Sequence, residues 1–149
     1  MMWGGISYGY RTPLIPVVGN LNAQRYIDQI LRPVLVPFLQ THPVVSTFQQ
    51  DNARPHTAQL TTAYMQQNNI RLLPWPAVSP DLSPIEQLWD QLGQRVAARR
   101  PAPNNRQELI DALQQEWNLI PQQRIQRLIR SMPRRCRACV AVNGGHTGY

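Results

Sequence analysis

Lysine is missing from this chain: all fifteen cationic side chains are arginine, set against only eight acids, for a net charge of +7. A guanidinium fork pairs with phosphate oxygens through two N–H donors, so an all-arginine excess suits phosphate contacts. A solvated basic surface is the plainer reading. Cysteine is almost as scarce, with Cys136 and Cys139 forming one C-x-x-C. A zinc site needs about four ligands, and beyond this pair only His146 lies near. A redox motif calls for a strand-to-helix setting, which the arginine-rich tail does not offer. Reduced intracellular thiols are therefore expected. No uninterrupted apolar run reaches the roughly 18 residues of a membrane span. Met1 to Gly5 has neither the basic start nor the apolar stretch of a secretory signal.

What is present is enough for a packed core. The hydrophobic content is 42% over 149 residues, which suits one modest domain or part of a larger one. The chain begins directly in strand-like sequence, as though cut from something longer. Ile6 to Val18 reads as a hairpin with Gly9 in its turn. Asn22 is a candidate N-cap for a helix whose stripe is Ile27, Ile30, Leu31, Val34, Leu35 and Phe38. Pro33 and Pro37 should kink or end it. A strand over Val44–Gln50, a helix from about Thr57 to Gln67 carrying Leu60, Ala63 and Tyr64, and a strand over Ile70–Leu73 make a βαβ unit, hence a parallel pair.

A loop from Pro74 to Pro84 then leads to an amphipathic helix bearing Ile85, Leu88, Trp89, Leu92 and Val96. Ser83 fits N-cap, Pro84 the first helical position and Glu86 the third. Glu86 falls near the edge of the apolar face. Beyond Arg99–Pro103, Asn105 can cap a helix with Leu109, Leu113, Trp117 and Ile120 along one side. A last helix places Ile125, Leu128, Ile129 and Met132 opposite Arg124, Arg127, Arg130 and Arg134. That arginine face is either solvated or a contact to a nucleic-acid backbone.

Asp51 and Glu86 stand out, with 34 residues between them. One ends a strand and the other opens a helix, two rigid places from which acids can converge on a divalent ion. Each also has a structural reading, Asp51 as a turn former beside Asn52 and Glu86 as the reciprocal partner of a capping box. Asp81 reads as a turn residue. His56 reads as a general base or as a structural residue at a helix start. Two-metal chemistry generally wants three or more carboxylates, and no third acid upstream has a comparable setting.

Phe48-Gln49-Gln50-Asp51-Asn52-Ala53-Arg54-Pro55-His56-Thr57-Ala58 resembles the second-aspartate motif of the Tc/mariner superfamily of DDE transposases. Leu73-Pro74-Trp75-Pro76-Ala77-Val78-Ser79-Pro80-Asp81-Leu82-Ser83-Pro84-Ile85-Glu86-Gln87-Leu88-Trp89 resembles the segment carrying that family's third acid. The spacing between the acids, with glutamate last, is similar to the Tc branch. So are the opening Trp3-Gly4-Gly5-Ile6 and the closing Met132-Pro133-Arg134-Arg135-Cys136.

The resemblance implies an α/β ribonuclease H-like fold, truncated at the N-terminus and followed by C-terminal helices. It divides the chain into a partial catalytic domain over 1–100 and a helical extension with a basic tail over 101–149. It implies Mg²⁺ or Mn²⁺, held by Asp51 and Glu86, and cut-and-paste transposition in which a freed 3′-hydroxyl attacks target DNA at TA. It further implies transposon-end DNA as partner, a transposase homodimer and a nuclear location. Arg54, His56, Arg124, Arg127, Arg130 and Arg134 are the candidate DNA contacts. The family's first aspartate has no counterpart here, and its strand would lie centrally in the sheet. The isolated chain is therefore expected to lack strand cleavage. A non-catalytic DNA-binding or transposase-interacting remnant is the alternative. The Trp75-to-Glu86 loop argues against a ribonuclease H or retroviral-type integrase relative.

Overall fold

The computed structural model describes residues 1–145 and Thr147. The chain forms two compact units, one of residues 1–4 and 15–78, the other of residues 5–14 and 79–149.

In the first unit β1 (Met2–Trp3) pairs antiparallel with β2 (Ile15–Pro16), Met2 opposite Pro16 and Trp3 opposite Ile15. The hairpin thus starts earlier than Ile6. Its base is closed by Met1, whose ammonium donates to the Val17 carbonyl at 3.2 Å. Gly19, at φ +74°, makes the turn into the helical segment. Asn22 caps α1 (Ala23–Tyr26), its side chain accepting from the Arg25 N–H at 2.9 Å.

The prolines neither kink the chain out of helix nor end it. α1 runs into a π-helical stretch, Ile27–Leu35, and then into α2 (Val36–Thr41). Pro33 has no N–H, and its ring crowds the carbonyl four residues back. The wider π turn accommodates this, with Val36 N–H donating to Leu31 O, five residues back. The widening also rotates the buried face. Tyr26, Ile27, Ile30, Leu31 and Leu35 are buried, whereas Val34 and Phe38 are only half-buried.

With Val17, Met65 and Ile70 these residues form the unit's core. Burying each large side chain contributes about 1.5–3 kcal/mol. α3 (Arg54–Thr57) and α4 (Gln59–Gln67) are separated at Ala58, whose ψ of 143° breaks the helical run. α4 turns Thr61 and Met65 inward, and Leu60 is 50% exposed, which corrects the expected Leu60 face. The parallel pairing is present but short. Phe48 bridges Leu72, its N–H donating to Arg71 O and its carbonyl accepting from Leu73 N–H, both at 2.8 Å. Among the described residues this bridge and the β1–β2 pair share no hydrogen bond. A ladder with one partner and one register pair does not extend into the full strands read over 44–50 and 70–73.

In the second unit the hairpin tip, with Ile6 bridged to Arg11, lies against α6 (Arg106–Leu119). Arg11 donates to the carbonyls of Trp117 at 2.7 Å and Asn118 at 3.4 Å, satisfying acceptors at the helix end, and burial lowers its pKa. The indole N–H of Trp117 donates to Thr12 O at 3.0 Å. α5 (Pro84–Ala97) buries Leu88, Leu92 and Val96, and its Trp89 stacks on Trp117 at 5.4 Å. On α6 the inward residues are Ala112 and Trp117, with Ile120 buried just after it. Leu109 is 43% exposed, outside the stripe expected for it.

The last predicted helix is two. α7 (Gln122–Arg130) ends at Ser131, and α8 (Met132–Ala141) restarts with Pro133 in its first turn. Proline suits a first turn, where its missing N–H is no loss. Cys136 and Cys139 lie on α8 with free thiols, and His146 lies outside the described residues. No helix is long and apolar enough to cross a membrane among the described residues.

Candidate active site

Asp51 follows the Phe48 bridge in the first unit and forms a turn. One carboxylate oxygen, Oδ1, accepts from the Ala53 N–H at 3.0 Å and lies 2.5 Å from Nδ1 of His56. With the carboxylate ionised, Nδ1 carries the proton and donates. No described residue donates to the other oxygen, and the side chain is 68% exposed. His56, on α3, is 15% exposed and packs its ring 4.5 Å from that of Tyr26. The structure thus joins two of the residues singled out from sequence, with His56 holding Asp51 in orientation.

Two further residues support them. Gln50 accepts from the Tyr26 hydroxyl at 2.8 Å and donates to the His56 carbonyl at 3.3 Å, so it fixes the turn between Asp51 and His56. Burial pushes the Tyr26 phenol well above its ordinary pKa, a Trp3 hydrogen bond opposes this, and the Asp51 charge adds to it. Tyr26 therefore stays neutral and donates. Sequence reasoning missed both. The signal for Tyr26 was its position four residues before Ile30, on the same helical face.

Glu86 is in the second unit, exposed in the first turn of α5. The expected capping box does not form, because the Ser83 side chain makes no cap hydrogen bond. Ser83 is 6% exposed and follows a 3₁₀ turn over Pro80–Leu82, from which its N–H donates to Pro80 O at 2.9 Å. Glu86 contributes as an acid at a helix N-terminus, where the macrodipole favours negative charge. Asp81 sits in the 3₁₀ turn Pro80–Leu82, as a turn residue would, and in addition accepts from the N–H and hydroxyl of Thr147 at 2.7 and 2.8 Å, a long-range contact not read from sequence.

Arg54, Arg124, Arg127, Arg130 and Arg134 are all exposed. Arg124 and Arg127 lie on α7, Arg130 sits over the Tyr8 ring at 5.2 Å, and Arg134 belongs to α8. Sequence reasoning overlooked Arg135, which is 1% exposed. It donates to Ser131 Oγ at 2.8 Å, Asp81 O at 2.6 Å and Gln87 Oε1 at 2.5 Å. Its signal was position: it continues the stripe Ile125, Leu128, Met132.

Residues 1–110 match the DDE superfamily endonuclease family. The chain belongs to the DDE superfamily of endonucleases, in its Tc/mariner transposase branch. This DDE chain is 35% identical to the Tcb1 transposase of Caenorhabditis briggsae and to the Tc1 transposase of Caenorhabditis elegans, over all of its own length and 54% of theirs. It therefore spans about half the length of these relatives. Its fold is the ribonuclease H-like fold of the Mos1 transposase catalytic domain. The structure of that domain with raltegravir and Mg aligns with a TM-score of 0.76 and 26% identity, covering 92% of this chain and 70% of the other. The Mos1 paired-end complex with Mn aligns at 0.74 and 27%, covering 92% and 40%.

The chemistry of the donors fits one part of a magnesium site. Asp51 offers a hard oxygen left open by its own hydrogen bonds, and a flanking histidine that fixes its direction. Among the described residues no three His, Cys, Asp or Glu side chains gather into a fuller cluster.

Proposed function

We propose that this chain carries the second and third acidic positions of a DNA transposase, Asp51 and Glu86, and that both hold a divalent ion, Mg²⁺ or Mn²⁺. The observation that carries the reading is the Asp51 turn, which directs one carboxylate oxygen into the protein and leaves the other open. Such an ion, when bound, activates an attacking oxygen and stabilises the leaving oxygen of a phosphodiester. The protein's own part is orientation. His56 and the Ala53 N–H set the Asp51 carboxylate, Gln50 and Tyr26 brace the turn, and the α5 N-terminus places Glu86. In full-length members of the family the substrate is transposon-end DNA, cut and then joined to a TA target, within a homodimer and in the nucleus; this chain by itself binds such DNA without cutting it. Residues 1–100 are the catalytic part and 101–149 a helical extension. The Mos1 structures support the DNA reading, since that transposase is solved in a complex with a left transposon end.

Iron-mediated backbone cleavage tests the pairing of the acids. Fe²⁺ replaces Mg²⁺ at such sites, and peroxide then cuts the chain beside its ligands. Cuts near both residue 51 and residue 86 are expected, both suppressed by excess Mg²⁺. His56→Ala should weaken the affinity by about tenfold, the usual cost of removing a residue that orients a metal ligand. Cuts near one acid alone would refute the shared site.

The exposed arginines of α7 favour a second reading, DNA binding without cleavage. It predicts affinity that falls steeply with salt and does not depend on the divalent ion.

A further inference from the structure

We infer that a cleft in the second unit, between α5 and the start of α7, holds a DNA phosphodiester backbone; this rests on the DNA-processing reading above. The cleft has a volume of about 540 Å³ and is lined by Gln91, Gln94 and Arg95 from α5 and by Gln123, Arg124 and Arg127 from α7. No acid lines it. Three arginines and three amides provide N–H donors almost without acceptors of negative charge, which is the inverse of a phosphate chain.

The donors differ in availability. Arg95 already pairs with Glu116 at 2.9 Å. Arg124 is steadied by Gln91, its Nε donating to Oε1 at 2.8 Å, which leaves both terminal nitrogens of the fork without a bond to the described residues. Arg127 makes no side-chain hydrogen bond or ion pair with the described residues, although it lines the same cleft. The arginine face read from sequence therefore resolves into a cleft at Arg124 and Arg127, while Arg130 covers Tyr8 and Arg134 lies on another helix.

The position along α5 is informative. At 1.5 Å per residue, Gln91 and Arg95 lie about 7.5 and 13.5 Å along the axis from Glu86. Phosphates of one DNA strand are about 3.4 Å apart along the duplex axis. The axial distance matches about two to four phosphates, but at 3.6 residues per turn Gln91 and Arg95 are turned about 140° and 180° around α5 from Glu86, so the cleft opens on another face of the helix from that acid. The cleft would thus grip backbone on the face of α5 turned away from Glu86.

Fluorescence anisotropy of the full chain on a labelled DNA duplex, without divalent metal and over about 50–200 mM salt, tests this. Arg127→Gln should reduce the slope of log affinity against log salt by about 0.9, the value for one lost phosphate contact. Since Arg127 has no hydrogen-bond or ion-pair partner among the described residues, the variant should fold as the parent does, checked by circular dichroism. Arg137→Gln removes the same charge from an exposed position on α8 and should leave the slope in place. Equal losses in the two variants would mean diffuse attraction and overturn the cleft. A parent slope retained in Arg127→Gln would overturn the cleft while leaving DNA binding intact. Absence of salt-dependent DNA binding by the parent would overturn both the cleft and the DNA reading. Complete displacement of the Arg127-dependent part by inorganic phosphate at equal phosphate concentration, or tighter binding of duplex RNA, would also overturn it.

Discussion

Asp51 works as a ligand only if its carboxylate is held still, and the residues that hold it form a chain of contacts reaching into the core. Tyr26 is the inner end of that chain, with its hydroxyl bonded to Gln50 and its ring against His56. Tyr26→Phe leaves Gln50 Oε1 without its donor and should cost about 1–3 kcal/mol. The pH dependence follows from the raised pKa. The folded state keeps the phenol protonated above the ordinary value of 10.0, so its contribution is complete below that pH and is lost as pH rises through the raised value. The parent should therefore lose stability above about pH 10, and Tyr26→Phe should lose less of it over the same interval. Urea unfolding on either side of that pH measures the difference. Equal losses would mean that Tyr26 is not the buried phenol described.

Two helix starts carry similar sequence signals and behave differently. Asn105 accepts from the Glu108 N–H at 2.9 Å, and Glu108 reaches back to the Asn104 N–H at 2.7 Å, so α6 has a side-chain N-cap reinforced by a reciprocal bond one residue before the cap. Ser83, three residues before Glu86, makes no cap bond with its side chain. Asn105→Ala should cost about 1 kcal/mol, whereas Ser83→Ala should cost less than about 0.5 kcal/mol. Thermal denaturation of the two variants decides the point, and a larger loss at Ser83 would contradict the geometry at α5. Arg135 shows the same dependence on packing. Three hydrogen bonds satisfy its buried guanidinium, and a charge in that position is tolerated only when so satisfied.

For the chain as a whole, charge and acid count point in different directions. A net charge of +7 carried entirely by arginine favours binding to a polyanion. Two-metal chemistry wants three or more carboxylates, and the described residues gather no such set. The full chain by itself should therefore bind DNA and leave supercoiled plasmid intact in Mg²⁺. Agarose electrophoresis of plasmid incubated with the purified protein checks this. Mg²⁺-dependent nicking that disappears in Asp51→Ala would overturn the expectation.

Most helices, the hairpin and the parallel pair were legible because they depend on local periodicity and turn chemistry. The Asn22 and Asn105 caps, the apolar stripe of α5 and the βαβ order are properties of neighbouring residues. The motif around Asp51 is likewise a run of neighbouring residues, and it lies within the segment that matches the family. Packing between distant segments decided the rest. It turned Leu60 and Leu109 outward and buried Ser83 and Arg135, while the widening at Pro33 is a local response to its missing N–H that the expected break did not allow for. It also set His56 against Asp51 and Tyr26 behind both. Spacing along a chain states which face a residue can occupy; which side chains fill that face, and which polar groups they satisfy, depends on contacts that local sequence does not contain.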